Sequence, residues 1–221
     1  KYKALNEYLS KRFTGWIRRY ILESIKAKGA INLINQYLKT GKKVTVFHDT
    51  LKIQDAKHPF RLEKDELYDK ASISEHGDAI SDSIKAADYR EIIKEYIQFA
   101  KERPDLINLD IKDIRPALEI LSEAFPNNSV QFNGNVPKAI RAKNVKDFQN
   151  DTSGKDVIIV QSDAGNAGIS LHDTTGVHQR VMINIGIPQR PIYAMQIEGR
   201  NYRTGSKTNC IIRYLTTGTN F

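Results

Sequence analysis

The stretch KDVIIVQSDAGNAGISLHD, residues 155–173, opens on an unbroken apolar, β-branched run and then dissolves into small residues and glycines. A short apolar run bounded by turn residues predicts a strand at 155–162 that is buried on both faces. Strands of that kind belong to parallel sheets covered by helices on either side. Gly165 and Gly168 predict a turn at the strand's carboxyl end.

Comparable runs lie on either side of it. KKVTVFHD predicts a strand at 43–48, SVQFNG one at 129–134, QRVMINIGIP one at 179–188 and NCIIRYLTT one at 209–217. Helical spacing fills the gaps: VPKAIRAKNVKDFQ after the 129–134 strand, DIRPALEILSEAFP before it as a helix at 113–124 with Pro116 in its first turn, and KAADYREIIKEYIQFAKERPD ending near Pro104. The first forty residues read as helix in two or three pieces, broken at Gly15 and Gly29 and stopped by Gly41. Strands alternating with helices make an α/β fold with a mainly parallel sheet flanked by helices. The interval between the strands at 43–48 and 129–134 far exceeds what a crossover needs, so about 51–112 is expected to be a largely helical insertion. Within it, KDELYDKASISEHGDAISDS is polar and without period, which predicts a loop.

Charge is unevenly spread along the 221 residues, whose formal net charge is +8. Residues 1–50 carry 11 Lys/Arg against 3 Asp/Glu, residues 51–125 carry 12 against 17, and residues 126–221 carry 11 against 6. Basic ends around an acidic middle favour a polyanionic partner, nucleic acid above all, although basic charge also serves plain solubility. A single cysteine, Cys210, excludes an internal disulfide. No apolar run nears the roughly 18–20 residues of a membrane span. No signal peptide is read at the N-terminus, and an intracellular site, cytoplasm or nucleus, is expected. The start at Lys1 rather than methionine suggests a piece of a longer polypeptide.

Two stretches carry the chemistry. In QSDAGNAGISLHD, small residues let a backbone approach a phosphate closely, Ser162 and Ser170 add hydroxyls, and Asp163 adds an acceptor. A simple strand-to-helix turn would look the same, and no GK[ST] follows to make it a Walker A loop. In QIEGRNYRTG, residues 196–205, Arg200 and Arg203 stand three apart, the spacing of one helix face. Paired planar guanidinium forks suit phosphate oxygens. Gly199 would allow close backbone packing and Gln196 a hydrogen bond at the same place. A solvated helix face is the bland alternative.

Together, in this order, these stretches resemble the second RecA-like domain of superfamily 2 helicases and translocases. SDAGNAGIS looks like motif V. QIEGRNYR matches the Q-x-x-G-R-x-x-R pattern of motif VI at Gln196, Gly199, Arg200 and Arg203. KVTVFHD is similar to motif IV, and VQFNGNVPKAIRAKNVKDF to the block after it, through Gly134, Arg141 and Phe148. AGISLHD looks most like the strawberry notch and Swi/Snf-like branches. The resemblance covers about 40–50 and 126–217. It implies that Arg203 is an arginine finger with Arg200 as its partner, that Gln196 couples two lobes, and that Gly168, Ser170, Asp163 and Gly199 lie on the ATP side. It implies nucleic-acid backbone contacts at His48, Asn133, Gly134, Ser162 and Arg141. Ser170 stands where DEAD-box members often carry an acidic residue, which puts a ribose contact there in doubt.

ATP and Mg²⁺ would be held mainly by a first RecA-like lobe that this sequence does not contain, since no Walker A motif is present. The lobe alone is expected to be inactive. The implied partners are therefore DNA or RNA phosphates and an N-terminal lobe, in the same polypeptide or another subunit. A non-catalytic RecA-like scaffold and a plain nucleic-acid-binding module are the alternatives. Other chemistry is poorly supported. His48, His172 and His178 with Asp49 and Asp173 lack metal-ligand spacing, and Ser162, Asp163 and His172 lack the G-x-S-x-G elbow of a hydrolase triad. Trp16, Tyr2, Tyr8 and Tyr20 among Lys11, Arg12, Arg18 and Arg19 read as helix core with a wet cationic face, with strand stacking as the alternative.

Overall fold

The computed structural model describes residues 1–10, 12, 15–50, 60–62, 86–108, 114–165, 168–186 and 191–218. The polar stretch 64–83 lies outside them. The chain divides into two compact units, Lys1–Arg18 with Ile53–Ile114, and Arg19–Lys52 with Arg115–Phe221.

In the first unit, helix α1 (Lys3–Ser10) packs with α3 (Ala86–Glu102), followed by the single turn α4 (Pro104–Ile107). Leu5, Leu9, Leu62, Ile92 and Tyr96 form its core, with Tyr2, Tyr8 and Phe99 against it. Tyr8 on α1 and Tyr20 of the second unit, 3% exposed, are packing residues as their helical spacing predicts; Tyr2, also packed here, precedes α1, and Trp16, 40% exposed, is not a core residue.

The second unit is built on helix α2 (Gly15–Lys39), which begins in the first unit, strands β1 (Lys43–His48), β2 (Ser129–Phe132), β3 (Val157–Gln161), β4 (Arg180–Asn184) and β5 (Ile211–Tyr214), and helices α5 (Ala117–Ala124), α6 (Lys138–Gln149), α7 (Ser162–Gly165) and α8 (Pro191–Asn201). The five strands form one sheet in the order β2-β3-β1-β4-β5, and every pairing is parallel. This is the α/β architecture with a parallel sheet and flanking helices that the strand and helix pattern predicts.

Alternation along the strands assigns the two faces. Val44, Val46, Val157, Ile159, Val181 and Ile183 pack with Ala27, Ala30 and Ile34 of α2 and Ile120 and Leu121 of α5. Phe47, Ile158, Val160 and Met182 point the other way, onto Phe148 of α6 and Ile197 of α8. Burial on both faces is why these strands carry continuous apolar runs.

Two local expectations fail. α2 runs unbroken through Gly29. A glycine there costs about 1 kcal/mol, and the burial of Ala27, Ala30 and Ile34 on the neighbouring turns outweighs it. The helix does stop at Lys39, just before Gly41: the Gly41 N–H donates to the Leu38 carbonyl, and its left-handed φ of 70° turns the chain so that the Lys42 N–H reaches the Tyr37 carbonyl at 3.2 Å. α5 starts at Ala117 with Pro116 as its N-cap, not inside its first turn. The proline ring excludes helical geometry at the residue before it, and the Arg115 carbonyl instead accepts the Ser24 hydroxyl at 2.7 Å.

Candidate functional site

Helix α8 runs from the carboxyl end of β4 back toward the amino end of β5, so Arg200 in its last turn lies away from the carboxyl edge of the sheet. A cation there suits the negative end of the helix dipole. Arg203 is not on the same helix face, contrary to the spacing argument, because α8 ends at Asn201. It belongs to the turn that follows, where Ser206 N–H donates to the Arg203 carbonyl and Arg203 N–H to Ser206 Oγ, each at 3.0 Å.

The segment after β3 reaches this corner. Ser162 starts at the carboxyl edge, its hydroxyl donating to the His48 carbonyl at 3.2 Å. Asp163 is exposed, and Gly168 takes a φ of 83° that a side chain would resist. Further on, Leu171 N–H donates to the Arg200 carbonyl at 2.8 Å, and Arg203 Nη1 donates to Ser170 Oγ at 2.6 Å. Ser170 and the two arginines, far apart in sequence, thus form one corner.

Arg203 is exposed and makes no ion pair among the described residues; the acceptor of its guanidinium is a neutral hydroxyl. Arg200 is half-buried. Burial, and then the neighbouring Arg203 charge, lower its pKa. His172 feels the same field: burial lowers its pKa, and Arg203 and Arg180 add to the effect. The corner is electropositive, with one guanidinium open to solvent. Gln196 is exposed on α8, and Glu198 accepts the Tyr214 hydroxyl at 2.6 Å. A Cβ on Gly199 would meet nothing within 4 Å among the described residues.

Beneath the corner lies a layer that sequence reasoning missed. Lys43 and Arg180 face each other across β1 and β4, 0% and 1% exposed. Lys43 Nζ donates to the carbonyls of Phe148 and Asn150 and lies 3.4 Å from Asp156. Arg180 donates to the carbonyls of Leu171 and His178 and to Gln149 Oε1. Both cations stack on the Phe148 ring. Nearby, the Asp173 carboxylate accepts from Thr175 N–H, Gly176 N–H and the Thr208 hydroxyl. Burial alone would raise its pKa, but these donors hold it below the usual carboxylate value. A charge inside an otherwise apolar strand, as in QRVMIN, is the sequence signal that could have found it.

The carboxyl edge holds the remaining predicted residues. His48, Asn133 and Ser162 are all buried, at 0%, 1% and 7% exposure, so their side chains do not present themselves at the surface. Asn133 Oδ1 accepts Asn135 N–H and shapes the turn after β2. Gly134 is exposed, its N–H donating to Gln161 Oε1 at 3.2 Å. Arg141 on α6 stacks on Phe132, and its Nε is buried without a hydrogen-bond partner among the described residues. The turn after β1 is gripped from α2: Glu23, 2% exposed, accepts the N–H groups of Asp49 and Thr50. Burial pushes its carboxyl up to about 7 against those two donors, with the Asp49 charge adding to the rise. Burial pushes the His48 imidazole down to about 4, opposed by its contact with the Thr50 carbonyl. Lys26 Nζ donates to the Ile185 carbonyl at 3.1 Å.

Among the described residues, no group of three or more His, Cys, Asp or Glu side chains is placed to hold a metal ion. No described helix is long and apolar enough to cross a membrane.

Residues 88–205, more than half of the chain, match the family model described as "Helicase conserved C-terminal domain". Among solved structures, the chain is similar to the crystal structure of the C-terminal part of the Fun30 ATPase domain, at 13% identity and a TM-score of 0.40, over 98% of this chain and 82% of that one. Among curated proteins none matches.

Proposed function

The chain belongs to the helicase conserved C-terminal domain family, and from that premise we propose that it is the C-terminal motor lobe of a nucleic-acid-dependent ATPase whose turnover depends on Arg203. ATP would lie between this lobe and an N-terminal RecA-like lobe. Hydrolysis moves the terminal phosphoryl group to water and develops negative charge on its equatorial oxygens and the leaving oxygen. Arg203 and Arg200 would stabilise that charge. Ser170 orients Arg203, Gln196 faces the other lobe, and Gly168 and Gly199 belong to the same nucleotide side, while Asp163 lies at the start of the segment that leads there from the carboxyl edge.

The observation that carries this reading is the exposed Arg203 guanidinium, whose acceptor is a neutral hydroxyl and which makes no ion pair among the described residues. The donor set fits an anion; Mg²⁺ has no ligand cluster among the described residues and would be held by the first lobe. Gly134, just past the carboxyl end of β2, and Arg141, in the first turn of α6, are the proposed contacts to nucleic-acid phosphates. The buried His48, Asn133 and Ser162 would shape that edge from beneath.

The test is Arg203→Ala in the two-lobe enzyme. Turnover should fall about 10³-fold or more while nucleotide still binds. Near-normal turnover refutes the role.

A further inference from the structure

Three consecutive carbonyls, those of Ser170, Leu171 and His172, are each held by a side chain from elsewhere in the fold. Gln149, the last residue of α6, donates its Nε2 hydrogens to the Ser170 carbonyl at 2.9 Å and the His172 carbonyl at 3.2 Å. Arg180 Nε donates to the Leu171 carbonyl at 3.2 Å between them. The two side chains are themselves joined, Arg180 Nη2 donating to Gln149 Oε1 at 2.8 Å. From the opposite side, Leu171 N–H is taken by the Arg200 carbonyl. The tripeptide whose serine receives Arg203 is therefore fastened through its backbone in two directions.

We propose that Gln149, anchored by Arg180, is a positioning residue for Arg203, holding the Ser170 hydroxyl where it keeps the guanidinium extended before ATP arrives. This rests on the reading of Arg203 given above. An exposed arginine has several rotatable bonds, and ordering them beforehand removes a cost that would otherwise fall on the transition state. A free strand-to-helix turn could not do this, because its backbone would move with its own fluctuations. The primary amide of Gln149 has the donors and acceptor this requires, since its oxygen takes the Arg180 proton while its nitrogen spans two carbonyls. Arg180 is 1% exposed and stacked on the buried Phe148, so the anchor itself is fixed. Gln149 also ends the helix that carries Arg141 near its start. One rigid element therefore joins the proposed phosphate-contact edge to the finger.

Gln149→Glu separates positioning from simple anchoring. Glutamate keeps the acceptor for Arg180 but loses both donations and sets a carboxylate against two carbonyls. In the two-lobe enzyme, kcat should fall about 10- to 100-fold, with KM for ATP changed by no more than about twofold. Ser170→Ala should give a similar loss, and the double variant should lose little beyond either single one, because both act through the same contact. In this chain alone, relaxation of the Arg203 Nε–H group should show the side chain loosened by Gln149→Glu. Gln149→Ala, measured alongside with thermal melting, identifies any loss that is only unfolding. Full kcat and an ordered Arg203 in Gln149→Glu overturn the proposal, as does a double variant whose losses multiply. Should Arg203→Ala itself turn over normally, the finger reading falls, and the relaxation experiment still decides whether Gln149 orders that side chain.

Discussion

Glu23 on α2 and His48 at the end of β1, both buried against the turn after β1, titrate with opposing effects on stability over nearly the same pH range. Glu23 has its carboxyl pushed up from 4.5 to about 7, mainly by burial. The folded chain therefore binds a proton more readily than the unfolded chain, and the stability this brings is complete below about 4.5 and lost as pH rises through 7. His48 has its imidazole pushed down from 6.5 to about 4, again by burial. There the unfolded chain binds the proton more readily, so stability is complete above about 6.5 and lost as pH falls through 4. Moving the Glu23 carboxyl from 4.5 to about 7, or the His48 imidazole from 6.5 to about 4, corresponds in each case to about 3 kcal/mol. Between pH 4.5 and 6.5 the two slopes cancel.

Glu23→Gln removes one of them. Relative to the unaltered chain, the variant should gain about 3 kcal/mol in unfolding free energy between pH 4.5 and 7.5. A constant offset from the changed hydrogen bonding to Asp49 and Thr50 does not affect that difference in slope. His48→Asn should do the reverse, losing about as much between pH 4 and 6.5. Urea unfolding at half-unit pH steps, extrapolated to water, reads both. Parallel pH profiles for the unaltered chain and Glu23→Gln would show that Glu23 does not titrate in this range, and the two slopes could not then be cancelling.

A Cβ at Gly186 would stand 2.8 Å from Asp49 Cγ, Asp49 N and Glu23 Oε1. Because the backbone N–H and the buried carboxylate are bonded to each other, neither can retreat freely, and Gly186→Ala should cost about 1–3 kcal/mol in urea unfolding; a cost below about 0.5 kcal/mol would contradict the close approach. If Arg141 contacts a phosphate, Arg141→Ala should lower the slope of log K against log salt by about one in nucleic-acid titrations, without changing sequence preference; an unchanged slope removes Arg141 from the interface.

The sheet was legible because each central strand is apolar on both faces, a pattern that only a covered parallel sheet explains. What was not legible depended on distant partners. Gly29 stays helical because residues on adjacent turns meet the sheet, and nothing in the local sequence announces that. The three-residue spacing of Arg200 and Arg203 suggested a shared helix face, yet the helix ends between them. Motif resemblance brought Ser170 and Arg203 to one place, but Gln149 carries no local mark of the carbonyls it holds. Likewise, His48, Asn133 and Ser162 are polar residues at strand ends, where exposure and burial look alike in one dimension. Arg180 and Lys43, cations at the edge of apolar runs, were not singled out from the sequence, and their ligands are mostly main-chain oxygens that no side-chain pattern encodes.

The facing of Lys43 and Arg180 also bears on how the sheet finds its alignment while folding. Valines and isoleucines on two-sided strands tolerate a slip by one residue, since either face is greasy. A slip of β1 or β4 would instead turn an ammonium or a guanidinium toward α2 and α5, among Ile34, Leu121 and Val157, away from the carbonyls that hold it now. A stranded charge of that kind costs several kcal/mol. The misaligned sheet is thereby made unstable by two residues, and the apolar strands acquire a reading frame that their own side chains lack.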